Sequence, residues 1–145
     1  MKKALFPGTF DPFTIGHKDI VDRALGLCDE LTICIGYNEA KHCEQSPEER
    51  KTNIECVYAD EPRVKVVIWS GLTVDYCTQN DIHYIVKGVR NVRDFEYERD
   101  QADMNRHLAN VDTILLYCDP KYSAISSSLI KVLKANGRDV SDYLA

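Results

Sequence analysis

Five short apolar runs recur along this chain, at residues 4–6, 31–35, 64–69, 84–86 and 113–117. Most of them lack the alternation of polar and apolar residues that marks a strand with one face in water. They are therefore typical of strands that are covered on both faces. Segments with the apolar spacing of helices lie between them, and this alternation predicts a parallel sheet with helices on both of its faces.

Local signals predict five helices. The first helix follows His17, and its apolar residues are Ile20, Val21, Ala24, Leu25 and Cys28. The second opens with Ser46-Pro47-Glu48-Glu49, which predicts a capping box with Ser at the N-cap and Glu at the third helical position. The others are expected near residues 72–80 and 94–108, and from the serines at 126–128 to about residue 136. The fold class is therefore α/β: a single Rossmann-like, doubly wound domain over residues 1–145, with a five-stranded parallel sheet.

Composition limits the functions that such a domain can have. The chain has 145 residues, of which 44% are hydrophobic and 28% charged, as in a folded domain of ordinary size. Its net charge of −5 gives it no general attraction for nucleic acid, so an anion site must be a local cluster of cations. No apolar run reaches the roughly 18 to 20 residues that cross a bilayer. We expect a cytoplasmic protein with no nucleic-acid or membrane partner.

The six cysteines form no C-x-x-C pair. This spacing argues against a zinc site and against a thioredoxin-like redox motif. We expect these residues to be reduced thiols that behave mainly as small apolar side chains.

In a doubly wound sheet, ligands bind at the carboxyl ends of the strands. Neither G-x-G-x-x-G nor the P-loop motif follows a strand here, which argues against a dinucleotide dehydrogenase or a P-loop enzyme. Residues 7–17 instead form a turn that brings His17 to the start of a helix, where unpaired amides attract anions. An ordinary Pro/Gly turn with a solvent-facing histidine remains the alternative.

Three further strand-end segments carry groups that suit a polyphosphate: Lys41, Lys87-Gly88-Val89-Arg90 and the serine-rich stretch at 122–128. Each also has a plain explanation, because isolated lysines are usually solvated and serines often only cap helices. Their joint placement at one edge of one sheet favours a phosphate-binding site.

The stretch Thr14-Ile15-Gly16-His17 resembles the T-x-G-H signature of the nucleotidyltransferase superfamily. Three later blocks narrow the resemblance to the phosphopantetheine adenylyltransferases: Lys87-Gly88-Val89-Arg90 with Asp94-Phe95-Glu96-Tyr97-Glu98, then Met104-Asn105-Arg106-His107-Leu108, then Ile125-Ser126-Ser127-Ser128-Leu129-Ile130-Lys131. The similarity runs from residue 3 to about residue 144.

This resemblance implies transfer of the adenylyl group of ATP to 4′-phosphopantetheine, giving dephospho-coenzyme A and pyrophosphate, the penultimate step of coenzyme A biosynthesis. It also implies a Mg²⁺ cofactor, held mainly by ATP phosphates and water rather than by protein carboxylates. A homohexamer is the implied assembly. Two departures are Lys87, where many relatives have Arg, and Tyr122, where Trp is common.

The resemblance also assigns roles to individual residues. The catalytic group comprises His17 at the α-phosphate, Thr9 at the attacking phosphate, and Lys41 and Arg90 as neutralising cations. The expected ATP-binding residues are Thr9, Phe10, His17, Gly88, Val89, Arg90, Glu98, Tyr122, Ser123, Ala124, Ile125, Ser126, Ser127 and Ser128. The expected binding residues for 4′-phosphopantetheine are Thr9, Gly36, Lys41, Leu72, Thr73, Lys87, Tyr97, Met104 and Asn105.

Three other interpretations remain open at this point. One is a related T-x-G-H or H-x-G-H enzyme that uses cytidine triphosphate with an alcohol phosphate, or ATP with a mononucleotide. Another is a nucleotide-binding regulator without turnover, and the weakest is a nucleic-acid-binding module. Tyr97 and Met104 are also compatible with a packing helix that serves no ligand.

Overall fold

The computed structural model describes residues 1–38 and 42–145. Five strands alternate with five helices along these residues, as the sequence predicts. The strands are β1 (Lys3–Gly8), β2 (Glu30–Gly36), β3 (Val64–Trp69), β4 (Tyr84–Val89) and β5 (Asp112–Tyr117). The helices are α1 (Ile15–Ala24), α2 (Pro47–Val57), α3 (Thr73–Gln79), α4 (Val92–Ala109) and α5 (Ser127–Ala135), followed by a short 3₁₀ turn at Ser141–Tyr143.

All five strands are parallel and lie in the order β3-β2-β1-β4-β5. The chain builds the sheet outward from β1 in one direction and then returns to add β4 on the other side of β1. The strand order therefore reverses between β1 and β4. At such a point the loops after the two strands diverge and leave a crevice for a ligand.

Alternate residues of β1 serve the two faces of the sheet. Ala4 and Phe6 pack in one apolar cluster with Val21 of α1 and Ile54 of α2. Leu5 belongs to a second cluster, which includes Val74 of α3. Helices therefore cover both faces, and the predicted doubly wound fold is confirmed. Burial of each large side chain contributes about 1.5–3 kcal/mol.

The boundaries of α1 differ from the expectation. This helix begins at Ile15 and ends at Ala24, so His17 lies inside its first turn and Cys28 lies beyond its end. Gly26 follows the helix closely, and glycine disfavours a further helical turn. The Cys28 thiol instead donates a hydrogen bond to the Ala24 carbonyl at 3.3 Å.

Helix starts account for the other local differences. The Ser46 hydroxyl accepts from Glu49 N at 3.1 Å, but among the described residues the Glu49 side chain accepts no return bond from Ser46 N, so only half of the predicted capping box forms. Helix α4 begins two residues earlier than expected, because the Asn91 side chain caps it by accepting from Asp94 N at 2.9 Å.

Candidate active site

Two adjoining cavities open at the carboxyl edge of the sheet. The His17 cavity, of about 320 Å³, lies between the loop after β1, the end of β4 and the start of α5. The Leu72 cavity, of about 490 Å³, lies between the start of α3 and α4. Pro7, Lys87 and Glu98 line both cavities, so the two meet at these residues.

Most of the residues that the sequence assigned to ATP line the His17 cavity: Phe10, His17, Gly88, Arg90, Glu98, Tyr122, Ile125, Ser126, Ser127 and Ser128. Thr9, Ser123 and Ala124 are not among its lining residues, and the Val89 side chain is buried beside it.

Most of the residues assigned to 4′-phosphopantetheine line the Leu72 cavity: Leu72, Thr73, Lys87, Tyr97, Met104 and Asn105. Gly36 and Thr9 lie outside its lining. Lys41 falls outside the described residues.

His17 is the third residue of α1 and completes its N-terminal cap. The Thr14 hydroxyl accepts from His17 N at 3.2 Å, and His17 Nδ1 accepts from Thr14 N at 3.0 Å. This is a capping box in which an imidazole replaces the usual Glu or Gln. Because Nδ1 is the acceptor, the neutral ring carries its proton on Nε2.

Aromatic rings surround this imidazole. Phe13 stacks on it with ring centroids 5.5 Å apart, and Phe10 meets it edge-on at 5.0 Å. Burial, joined by the positive charges of Arg90 and Lys87, lowers the pKa of His17 to about 4. At neutral pH, His17 is therefore an uncharged hydrogen-bond donor.

Phe10 adopts an unusual backbone conformation to reach this position. Its φ is +54°, in the left-handed region that aromatic residues rarely occupy. Contacts with Phe6 and Phe13, at centroid distances of 5.2 and 5.4 Å, hold its ring in place. A Cβ at Gly8 would lie 2.7 Å from Phe10 Cζ, so the close approach of this ring requires a glycine.

The two described cations of the site each pair with a carboxylate of α4. Arg90 Nε donates to Asp94 Oδ2 at 3.0 Å, and Lys87 Nζ lies 3.4 Å from Glu98 Oε1. Asp94 and Glu98 are one helical turn apart and so lie on one face of the helix. The cations are thus fixed in the crevice beside His17.

The start of α5 supplies amides and hydroxyls on the opposite side of the His17 cavity. Ser126 is the N-cap, and its hydroxyl accepts from Leu129 N at 3.0 Å. The Ser127 hydroxyl donates to the Pro12 carbonyl at 2.8 Å, which ties the helix to the loop after β1. No acidic residue occupies the first turn of α5, so its amides remain favourable for an anion.

Two buried charged residues fix the loop after β1. The Asp11 carboxylate accepts from Glu44 N at 2.9 Å, from Gln45 N at 3.1 Å and from Lys131 Nζ at 2.8 Å. Arg50 Nη1 donates to the Thr9 carbonyl at 2.7 Å. The loop is thereby bonded to the segment before α2, to α2 and to α5.

Sequence reasoning missed Asp94, which lines the His17 cavity, and it missed Asp11 and Arg50, which fix the loop after β1. The spacing of Arg90 and Asp94, four residues apart at a helix start, is a signal that points to their ion pair. No local pattern signals the bonds of Asp11 or the bond from Arg50 to Thr9, because these partners are 33 or more residues apart in the chain.

Among the described residues, no helix combines the length and the apolar character that a membrane crossing requires. Within the same residues, no group of three or more His, Cys, Asp or Glu side chains is arranged to hold a metal ion.

Comparisons with known proteins show the family of this chain. Residues 5–133 match the cytidylyltransferase-like family. The phosphopantetheine adenylyltransferase of Porphyromonas gingivalis is 52% identical over 146 residues, covering 99% of this chain and 95% of the relative. The phosphopantetheine adenylyltransferase of Bacteroides thetaiotaomicron is 46% identical over 144 residues, with the same two coverages.

A solved structure shares the fold at much lower identity. The bifunctional NMN adenylyltransferase/ADP ribose pyrophosphatase from Francisella tularensis superposes with a TM-score of 0.77 at 18% identity, over 99% of this chain and 44% of that one. This likeness concerns the fold alone. The family match and the full-length relatives together show that the chain belongs to the cytidylyltransferase-like nucleotidyltransferases, and among them to the phosphopantetheine adenylyltransferases.

Proposed function

We propose that this chain transfers the adenylyl group of ATP to 4′-phosphopantetheine, with dephospho-coenzyme A and pyrophosphate as products. The observation that carries the proposal is the meeting of the two cavities at Pro7, Lys87 and Glu98, beside His17 and Arg90. A nucleotide in the His17 cavity and a pantetheine arm in the Leu72 cavity would bring their phosphates together at this junction.

The reaction needs no protein nucleophile. A phosphate oxygen of 4′-phosphopantetheine attacks the α-phosphorus of ATP and forms a new P–O bond. The bond from the α-phosphorus to the bridging oxygen breaks, and pyrophosphate leaves with the electron pair. Catalysis then consists of aligning the two phosphates and stabilising the charge on the α-phosphoryl oxygens.

The described residues suit these tasks. His17 Nε2 would donate a hydrogen bond to an α-phosphoryl oxygen, as a neutral donor that the Thr14 cap holds in one orientation. Arg90 would bind ATP phosphates together with the amides at the start of α5. Lys87, at the junction, would neutralise the phosphate of 4′-phosphopantetheine. We keep Lys41 as a further cation and Thr9 as the residue that orients the attacking phosphate.

Magnesium belongs to the same proposal. Among the described residues that line the His17 cavity, the two carboxylates, Asp94 and Glu98, are already paired with Arg90 and Lys87. The ion would therefore be held by ATP phosphate oxygens and water rather than by protein carboxylates. When bound, it would neutralise charge on the leaving pyrophosphate.

A cytoplasmic location and a homohexamer complete the proposal. Support for an assembly comes from α4, an 18-residue helix with no buried residue in the single chain. Several of its apolar side chains are exposed, including Val92 and Phe95. A second copy of the chain would cover them.

A pyrophosphate-release assay tests the activity. We expect pyrophosphate and dephospho-coenzyme A in equal amounts when the protein meets ATP, Mg²⁺ and 4′-phosphopantetheine. Parallel reactions with cytidine triphosphate in place of ATP, and with nicotinamide mononucleotide in place of 4′-phosphopantetheine, are expected to be much slower. Faster turnover in either parallel reaction, or none in the first, would contradict the proposal.

A further inference from the structure

The carboxylate of Asp94 lies in the His17 cavity, yet the proposed reaction gives it no task. It makes two bonds to the same residue: Asp94 Oδ2 accepts from Arg90 Nε at 3.0 Å and from Arg90 N at 3.1 Å. Asp94 thus fixes both the backbone and the side chain of the arginine that follows β4.

Because Asp94 bonds to Nε of Arg90, the other guanidinium nitrogens remain able to bind a ligand. A guanidinium carries five N–H donors in a flat fork, and its two terminal nitrogens form the edge that binds phosphate oxygens in pairs. Of the three guanidinium nitrogens of Arg90, Asp94 accepts a hydrogen bond only from Nε. In the part of the chain that the structure describes, no hydrogen bond is found from Nη1 or Nη2 to a protein acceptor. The phosphate-binding edge is therefore oriented and still available.

Asp94 is itself held firmly. Its amide donates to the Asn91 side chain at 2.9 Å in the first turn of α4. Burial alone would raise the pKa of Asp94, but hydrogen bonds from Arg90 lower it below its usual value, so the carboxylate stays charged at neutral pH. The cap of α4, Asp94 and Arg90 form one continuous chain of bonds.

We propose that Asp94 is a positioning residue for ATP, acting through Arg90: it holds the guanidinium so that Nη1 and Nη2 face the nucleotide phosphates. This inference rests on the proposed function, because it takes ATP as the ligand of the His17 cavity. Asp94 itself does not touch the substrate.

The direction in which ATP affinity changes when the charge of Asp94 is removed distinguishes a positioning role from a purely electrostatic one. Asp94 is an anion near a polyanionic ligand, so removing its charge would strengthen ATP binding if only long-range electrostatics mattered. If Asp94 positions Arg90, the same substitution weakens ATP binding. Asp94→Asn therefore gives opposite results under the two explanations.

Asp103→Asn is the matched control. Asp103 is an exposed residue of the same helix and lines neither cavity, and its substitution removes the same charge. Titration calorimetry would measure the dissociation constants of ATP and of 4′-phosphopantetheine for each variant. We expect Asp94→Asn to weaken ATP binding about tenfold and to leave 4′-phosphopantetheine binding within about twofold of the original. Asp103→Asn should leave ATP binding unchanged or slightly tighter.

A double-mutant cycle with Arg90→Ala tests whether Asp94 acts through Arg90. On that background, Asp94→Asn should cause no further loss of ATP affinity, whereas a general structural defect would still lower it. The proposal is overturned if Asp94→Asn binds ATP as tightly as Asp103→Asn, or if it weakens binding further in the absence of Arg90. An original chain that binds ATP but releases no pyrophosphate would contradict the proposed reaction and not the role of Asp94, because the titration does not depend on turnover.

Discussion

The two ring nitrogens of His17 have separate tasks. Nδ1 accepts from the Thr14 amide and fixes the start of α1, while Nε2 keeps the proton that the proposed chemistry uses. The T-x-G-H pattern therefore encodes a helix cap as well as the hydrogen-bond donor that we propose for the reaction. Substitutions at position 17 can separate these tasks, because glutamine is an ordinary residue at the third position of a capping box.

We expect His17→Gln to retain the cap and the stability of the chain but to lower turnover about 100- to 1000-fold, the usual loss when one preorganised donor is removed. His17→Ala should lose turnover similarly and also about 1 kcal/mol of unfolding free energy, since the Thr14 amide loses its acceptor. Denaturant unfolding and pyrophosphate release measure the two effects. Turnover of His17→Ala within a few fold of the original would remove His17 from the mechanism.

The pH dependence follows from the lowered pKa of His17, about 4. The ring is neutral from pH 6 to 9, so the turnover ratio of the original chain to His17→Gln should stay constant over that range. A steep loss of activity between pH 7 and 8 that disappears in His17→Gln would show that the imidazolium is required.

Stability depends on the same group in the acid range. In the unfolded chain, His17 takes up a proton near pH 6.5, but in the folded chain only near pH 4. Between these values the unfolded state binds more protons, so stability falls as the pH drops from about 6.5 to about 4. Unfolding of His17→Gln at pH 7 and pH 5 should show a smaller decrease than the original chain.

Among the secondary-structure elements, Asp11 joins the loop after β1 to the segment before α2 and to α5. Asparagine has one carbonyl oxygen and places an N–H₂ group near donors, so Asp11→Asn leaves partly buried donors without an acceptor. We expect a loss of about 2 kcal/mol in unfolding free energy. The loss is no larger because Lys131 is partly exposed, and water weakens its ion pair with Asp11. Asp60→Asn, at an exposed turn, is the control and should change stability by less than about 0.5 kcal/mol.

The contribution of Asp11 also has a defined pH range. Burial raises the pKa of Asp11, but hydrogen bonds from Lys131, Glu44 and Gln45 more than offset this and lower it below the usual value. Its stabilisation is therefore present above the unfolded value of about 4 and is lost as the pH falls below it. Equal stability of Asp11→Asn and the original chain at pH 7 would show that these bonds contribute nothing.

The elements themselves were predictable because each is encoded locally. Apolar runs in which polar and apolar residues do not alternate predict the strands. The succession of strand and helix along the chain predicts the parallel sheet and the edge that carries the candidate site. The sequence places His17 at the start of α1, but its part in the cap is not a familiar signal, because a Thr14-His17 pair stands in place of the usual Ser or Thr with Glu. Asp11 and Arg50 were missed because their bonds depend on which distant segments the fold brings together.

At the scale of the whole molecule, α4 has apolar surface that the rest of the single chain does not cover. None of its 18 residues is buried, although it packs on the sheet and lines the Leu72 cavity. Val92 is 72% exposed and Phe95 is 43% exposed, and neither lines the His17 cavity or the Leu72 cavity. Contact with another copy would remove this apolar surface from water at about 25 cal/mol per Å².

The homohexamer that we propose would give a mass six times that of the chain in light scattering at micromolar concentration. Phe95→Glu places a charge on the exposed side of α4, and burying it without a partner would be costly, so we expect this variant to dissociate into smaller species. Leu27→Glu, which adds the same charge at an exposed apolar residue after α1, should leave the assembly unchanged. A monomer mass for the original chain would refute the hexamer, and an intact assembly in Phe95→Glu would show that this part of α4 is not its interface.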